Sequence, residues 1–224
     1  HRRAPFDNLL VRRALITAID RQAVVDGAYF GYGTPIGSHF APHNPYYVDL
    51  VDVYPYDPEA ARALLAEAGL PDGFRATLAL PPTAYARRSG EIIQAQLAAA
   101  GIDARVENVE WGFWLDEVYG KLNYDMTIIA HTSPNDMGNF ARGPKYFYGY
   151  DDATFTELWG NIRTEADPEA RNEMLRQGQR YLTENAVHGF LFQLPLLGVF
   201  KEGVEGFWPS QPVVFMPLAG VSVK

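Results

Sequence analysis

The first apolar pattern along the chain is Val11, Ala14, Leu15 and Ala18, the i, i+3, i+4, i+7 spacing of one helix face, with Asp7 ahead of it as a starting residue. A helix ending near Asp20 is predicted. From Phe30 to Pro58 the pattern dissolves into turn formers, among them Gly31, Gly33, Pro35, Gly37, Pro42, Asn44 and Pro45, which predicts a long ordered surface excursion. Asp57, Pro58 and Glu59 then supply a capping carboxylate, a proline at the first helical position and a first-turn acid. The helix they open carries Ala61, Leu64, Leu65 and Ala68 on its buried stripe and stops at Gly69. Phe74, Ala76, Leu78 and Leu80 alternate with Arg75, Thr77 and Ala79 as a strand, and Ser89, Ile93, Leu97 and Ala100 make a helix closed by Gly101. Ile102, Ala104 and Val106 alternate with Asp103, Arg105 and Glu107 as a second strand. Trp111, Trp114, Leu115 and Val118 mark another helix, and 124–130 reads as a third strand. Short links between strand and helix leave no room for antiparallel hairpins, so this βαβαβ run predicts a parallel sheet with right-handed crossovers. Helices are predicted over 152–164 and 168–186, the second opened by Asp167, Pro168 and Glu169. From Phe190 onward, apolar runs broken by Pro195, Gly198 and Gly203 read as strands and extended chain that need something else to pack on.

Charge narrows the partners. Nineteen Lys and Arg against 27 Asp and Glu give a net charge of -8, which leaves no broad cationic face for a phosphate backbone, so no nucleic-acid partner is expected. The absence of cysteine excludes disulfides, thiolate metal sites and a cysteine nucleophile. An uncharged stretch from Gly206 to Val223 approaches membrane-spanning length, but Pro209, Pro212 and Pro217 break it, and no membrane helix is expected there. His1, Arg2 and Arg3 are followed by Asp7 and Asn8 with no apolar run, so no signal-peptide pattern is read at the start.

Catalytic motifs are missing: no G-x-S-x-G elbow, H-E-x-x-H helix or phosphate loop occurs. His39 and His43 stand four apart, but Pro42 keeps them off one helical face and no metal site is expected. His188, before Gly189, reads as an edge histidine. The segment that follows the third strand is denser in hydrogen-bonding groups: His131, Thr132, Ser133, Pro134, Asn135, Asp136, Met137, Gly138 and Asn139. Such a composition suits a plain turn. Its place tips the reading to ligand binding, because loops leaving the carboxyl ends of parallel strands line the crevice of an open α/β sheet. Tyr85, after the first strand, opens to the same crevice. Tyr146, Phe147, Tyr148 and Tyr150 cluster just beyond, each tyrosine with an apolar body and a polar tip suited to contact. Trp111 and Trp114 share the stripe of Leu115 and Val118, so by pattern both are core.

Several stretches together carry a resemblance: Pro5-Phe6-Asp7-Asn8 through Val11-Arg12-Arg13-Ala14-Leu15 to Ala18-Ile19-Asp20-Arg21, then Tyr56-Asp57-Pro58-Glu59-Ala60-Ala61 with Leu64-Leu65-Ala66-Glu67-Ala68-Gly69. Gly101-Ile102, Val109-Glu110-Trp111 and Tyr124-Asp125-Met126 extend it. In order and spacing the chain resembles the peptide and nickel branch of the extracellular solute-binding proteins of ATP-binding cassette (ABC) importers. The resemblance implies an α/β fold, a periplasmic-binding-protein type II-like lobe built on the βαβαβ parallel-sheet unit, over 1–192. It implies that 193–224 is an extended segment returning to a first lobe that is not in this sequence. Trp111 and Tyr85 fall where peptide-binding members face side-chain pockets, and His131 where a tryptophan often sits. Pro134 replaces an aspartate that pairs with the ligand's amino terminus, and Asp136 substitutes only if the loop is reshaped. The expected ligand-binding set is Tyr85, Trp111, His131, Thr132, Ser133, Asn135, Asp136, Asn139 and Tyr148, with no catalytic residue, cofactor or metal. The expected partners are a small polar, peptide-like ligand and the transmembrane subunits of an ABC permease, with the protein an exported, periplasmic monomer. An opine, an oligosaccharide, nickel or haem stays open as ligand, the last two with His131 as local contact. A signalling receptor module and a small hydrolase using His131 and Asp136 are the other readings.

Overall fold

A computed structural model describes residues 1–131, 136–195, 197–207 and 218–224. Their contacts fall into two units, His1–Leu194 and Pro195–Lys224.

The predicted opening helix is two helices. Asn8, not Asp7, caps α1 (Leu9–Thr17), its side chain accepting from the Leu10 amide at 2.9 Å. Asp20 then accepts from the Ala23 amide at 3.0 Å and starts α2 (Arg21–Tyr29), so the residue that ends one helical pattern begins the next. The excursion beyond carries a two-residue strand, β1 (Thr34–Pro35), and a 3-10 turn, Val51–Val53. Two buried polar side chains hold it. The Arg21 guanidinium donates to the carbonyls of Phe190 (2.8 Å) and Tyr54 (3.1 Å), and the Gln179 amide donates to Tyr46 O (2.7 Å) while accepting from Ser38 (3.1 Å).

Asp57 caps α3 (Pro58–Glu67) as predicted, accepting from the amides of Glu59 and Ala60. The α/β unit follows as β2 (Phe74–Leu80), α4 (Ala84–Ala99), β3 (Ile102–Asn108), α5 (Trp111–Phe113) running into a π-helical segment Trp114–Gly120, and β4 (Met126–Thr127). The sheet order is β3-β2-β4 with both pairings parallel, Phe74 opposite Ile102 and Leu78 opposite Met126. The third strand is far shorter than predicted because side chains take the backbone groups at both ends. The Thr77 amide donates to the Asp125 carboxylate (2.8 Å) instead of a strand carbonyl, and the Ala130 amide donates to the Tyr85 hydroxyl (3.0 Å). At the other end of the sheet Gly73 has φ +74, and a Cβ there would lie 1.7 Å from Gly101 O, so only glycine permits this approach.

An aliphatic cluster that includes Ala14, Leu65, Leu97 and Ile102 packs α1, α3 and α4 on the sheet. An aromatic cluster that includes Phe140, Phe147, Phe155 and Leu182 gathers the later segments, among them α6 (Ala153–Thr164) and α7 (Pro168–Glu184). Phe192 and Gln193, expected to lack a partner here, form β5 and pair antiparallel with β1. In the second unit β6 (Val204–Glu205) pairs antiparallel with β7 (Ser222–Val223), Lys224 bridges to Glu205, and Phe200 lies against Phe207 with ring centroids 4.9 Å apart. Among the described residues no helix is long and apolar enough to cross a membrane. The three late prolines lie outside the described residues.

Candidate functional site

Parallel pairing brings the carboxyl ends of β2, β3 and β4 to one edge, and Tyr85, Trp111 and His131 follow these three strands in the chain. Tyr85 lies in the first turn of α4, not in the preceding loop, and its hydroxyl accepts from Ala130 N, tying α4 to the chain that leaves β4. The two tryptophans part company. Trp114 is 4% exposed, and its indole N–H donates to the Thr127 hydroxyl (3.0 Å), which donates in turn to Ala79 O (2.7 Å). That chain clamps the π-helical segment across β2 and β4. Trp111, expected from the stripe to be core, is 42% exposed and stands edge-on to Trp114 at 5.8 Å. Beside it the Arg87 guanidinium reaches Glu110 at 3.3 Å.

His131 closes the edge. Its ring stacks on Phe147 with centroids 6.0 Å apart, its Nε2 is 3.2 Å from the Tyr148 hydroxyl, and its Nδ1 is 3.5 Å from Asp136 Oδ2. Asp136 opens a 3-10 turn, Asp136–Ala141, and its Oδ1 lies 2.8 Å from Nε2 of His39 in the excursion. The His39 and Asp136 side chains are 8% and 9% exposed, and His39 sits edge-on to Phe40 (4.8 Å) and Phe140 (5.5 Å). Asn139, in the same 3-10 turn, hydrogen-bonds Tyr148. Gly138 lets Trp159 of α6 close on this turn, since a Cβ there would meet the indole at 2.5 Å. Tyr148 itself is buried with Phe147 and Tyr150 in the aromatic cluster, so its polar tip meets His131 and not open solvent. Thr132, Ser133, Pro134 and Asn135 lie outside the described residues.

Burial sets the charge states. It lowers the His131 pKa, His39 adds to the fall, and Asp136 opposes it. It raises the Tyr148 hydroxyl, with Tyr146 and Asp136 adding, so the phenol keeps its proton. His188 is not an edge residue: it is wedged against Tyr148 (4.3 Å) and Phe140 (4.7 Å), and burial, with His131 and His39 nearby, pushes its pKa down to about 3. At neutral pH the site thus holds an uncharged histidine beside a buried carboxylate, an exposed indole and a rim ion pair. That set suits non-covalent capture of a solute with apolar and polar parts. Among the described residues no group of three or more His, Asp or Glu is arranged to hold a metal ion. A cavity of about 320 Å³ is lined by Arg3, Phe6, Tyr124 and Gly149 among others, and of the predicted residues among those described only Tyr148 reaches it. His39, Arg87 and Glu110 were not foreseen at this edge. His39 gives no local sign, since its partner is 97 residues away, whereas the proximity of Glu110 to Trp111 would have marked it.

Comparison with known proteins shows the family. A family model described as bacterial extracellular solute-binding proteins, family 5 (middle) matches residues 1–154. The glutathione-binding protein GsiB of Salmonella choleraesuis (strain SC-B67) is 44% identical over 222 residues, covering 91% of this chain and 43% of that protein. Heme-binding protein A of Haemophilus influenzae is 40% identical over 114 residues, 49% of this chain and 21% of that protein. The crystal structure of a dipeptide-binding protein from Pseudoalteromonas sp. SM9913 in complex with Met-Leu superposes with a TM-score of 0.79 at 25% identity, covering 99% of this chain and 46% of that one. The chain therefore spans less than half the length of these relatives.

Proposed function

We propose, from the premise that the chain belongs to the bacterial extracellular solute-binding proteins, family 5, that it forms one wall of the cleft in the substrate-binding component of an ABC importer. The whole protein captures a short peptide or similar polar solute between two lobes and presents it to the permease. The observation that carries this reading is the edge at the strand ends, where Trp111 stands exposed next to Glu110 of the Arg87–Glu110 pair and His131 follows β4 with its ring stacked on Phe147. Relatives named for glutathione and crystallised with Met-Leu support a di- or tripeptide as ligand. The segment 193–224 is the part that returns to the first lobe, and the protein works as a periplasmic monomer.

Binding without catalysis fits the chemistry of His131. Its Nε2 faces a phenol that burial keeps protonated and its Nδ1 faces Asp136, so neither nitrogen is free to act as a general base on a bound solute. The same engagement disfavours nickel or haem, which would require one of those nitrogens.

The ligand closes such a cleft only through contacts that differ between open and closed states, and one wall supplies part of them. Glutathione and Met-Leu titrated calorimetrically into this chain and into the longer protein that contains it are expected to bind the latter, and this chain at least about tenfold more weakly, each tenfold being about 1.4 kcal/mol of lost contact. Equal affinities would remove the two-lobe mechanism. No binding of short peptides to the longer protein would remove the ligand class.

A further inference from the structure

Four side chains from four separate segments form one polar line: His39 in the excursion, Asp136 at the head of the 3-10 turn, His131 beyond β4, and Tyr148 in the aromatic cluster. A carboxylate only accepts hydrogen bonds. Oδ1 of Asp136 is filled by His39 Nε2 at 2.8 Å, whereas Oδ2 is buried, has no hydrogen-bond partner among the described residues and faces His131 Nδ1 at 3.5 Å. An uncompensated buried carboxylate oxygen is costly, so the proton of the facing imidazole belongs on Nδ1. The other end of the line agrees, because a phenol that donates to Nε2 leaves that nitrogen an acceptor. Other titratable or charged groups around His131 are His188, Tyr146, and Arg142 over the Tyr146 ring at 4.0 Å. None stands between His39 and Asp136, which bond directly.

We propose that His39 is a positioning residue of the candidate site: by holding Asp136 through Oδ1 it aims Oδ2 at His131, which fixes the Nδ1–H tautomer and the ring orientation of the half-exposed member of the line. The inference rests on the reading of this edge as a ligand site and adds to it a specificity. With Nε2 facing the Tyr148 phenol, Nδ1 facing Asp136 and Phe147 stacked on the ring, His131 meets a ligand through its other face, so the group bound over it is an apolar or aromatic side chain and not a hydrogen-bonding one.

The test needs no ligand, so its failure would leave the transport reading standing. Long-range proton–nitrogen correlation NMR on the 224-residue chain reports the tautomer and titration midpoint of each histidine. The native chain is expected to show His131 as Nδ1–H, titrating below the ordinary histidine value. In H39A the tautomer is expected to become mixed and the midpoint to fall, since Asp136, the neighbour that raises it, is no longer held toward His131. H39Q keeps an N–H donor for Asp136 and is expected to restore the tautomer while the midpoint rises, since the neighbour that lowers it is gone. D136N is expected to lower the midpoint. A merely structural role predicts no such split. An unchanged tautomer and midpoint in folded H39A, or shifts of the same sign in H39Q and D136N, would overturn the proposal. If H39A fails to fold, the opposed signs of H39Q and D136N decide it. A direct readout of the specificity is the loss of affinity on H131A in the longer protein for Met-Leu but not for Gly-Gly; equal losses would refute it.

Discussion

Trp111 and Trp114 are the same residue three positions apart, yet one is 42% exposed and the other 4%. A helical stripe predicts one fate for both, because it describes a face and not what covers that face. The difference comes from Thr127, which offers the Trp114 indole N–H an acceptor, while Trp111 stands edge-on to its neighbour and stays exposed. His188 shows the reverse error: beside a glycine it reads as an edge residue, but the rings of Tyr148 and Phe140 enclose it. Its folded pKa, about 3 against the ordinary 6.5, means that between those values the unfolded chain binds a proton that the folded chain refuses. Stability is therefore full above about pH 6.5 and falls as pH drops through that window. The thermal midpoint is expected to decline from pH 7 to pH 4, and His188→Phe, which keeps the aromatic contacts, is expected to flatten the decline; an unaltered slope in differential scanning calorimetry would contradict the assignment.

At the scale of elements, the parts written in local chemistry came through the sequence intact. Asp57 and Asp167 each precede a proline and an acid, and each carboxylate caps the helix it announces, Asp167 accepting from the Ala170 amide at 2.7 Å. Asp167→Ala is expected to lower the unfolding free energy by about 1 kcal/mol in urea titration, the usual cost of a lost carboxylate cap. The parts that failed are those in which a side chain competes with the backbone. Asp20 both follows one helical pattern and caps the next, so α1 and α2 merge in the pattern but not in space. Residues 124–130 read as one strand, yet Asp125 and Tyr85 take the amides of Thr77 and Ala130 and leave β4 two residues long. The excursion was legible as irregular chain. Its anchoring by Arg21 and Gln179 was not, since their partners arrive from far along the chain.

Across the whole molecule, the residues of both core clusters precede Pro195, among those described. A chain truncated after Leu194 is therefore expected to keep its urea midpoint, with unfolding free energy within about 0.5 kcal/mol of the longer chain, the range of changes that leave core contacts alone. A larger loss would show that 195–224 supports the first unit.

The caps at Asp57 and Asp167, the first two strands and the βαβαβ order were settled by the sequence alone, because a 3.6 or 2.0 period and a capping carboxylate act on neighbours within a few bonds. Family resemblance was legible for the same reason: it rests on short local stretches kept in order. Which residues share the site was decided by the tertiary structure. His39 meets Asp136 across 97 residues and Tyr85 meets Ala130 across 45, and both pairings exist only once the sheet and the aromatic cluster have brought distant segments within hydrogen-bonding range, where burial turns a weak attraction into a fixed geometry.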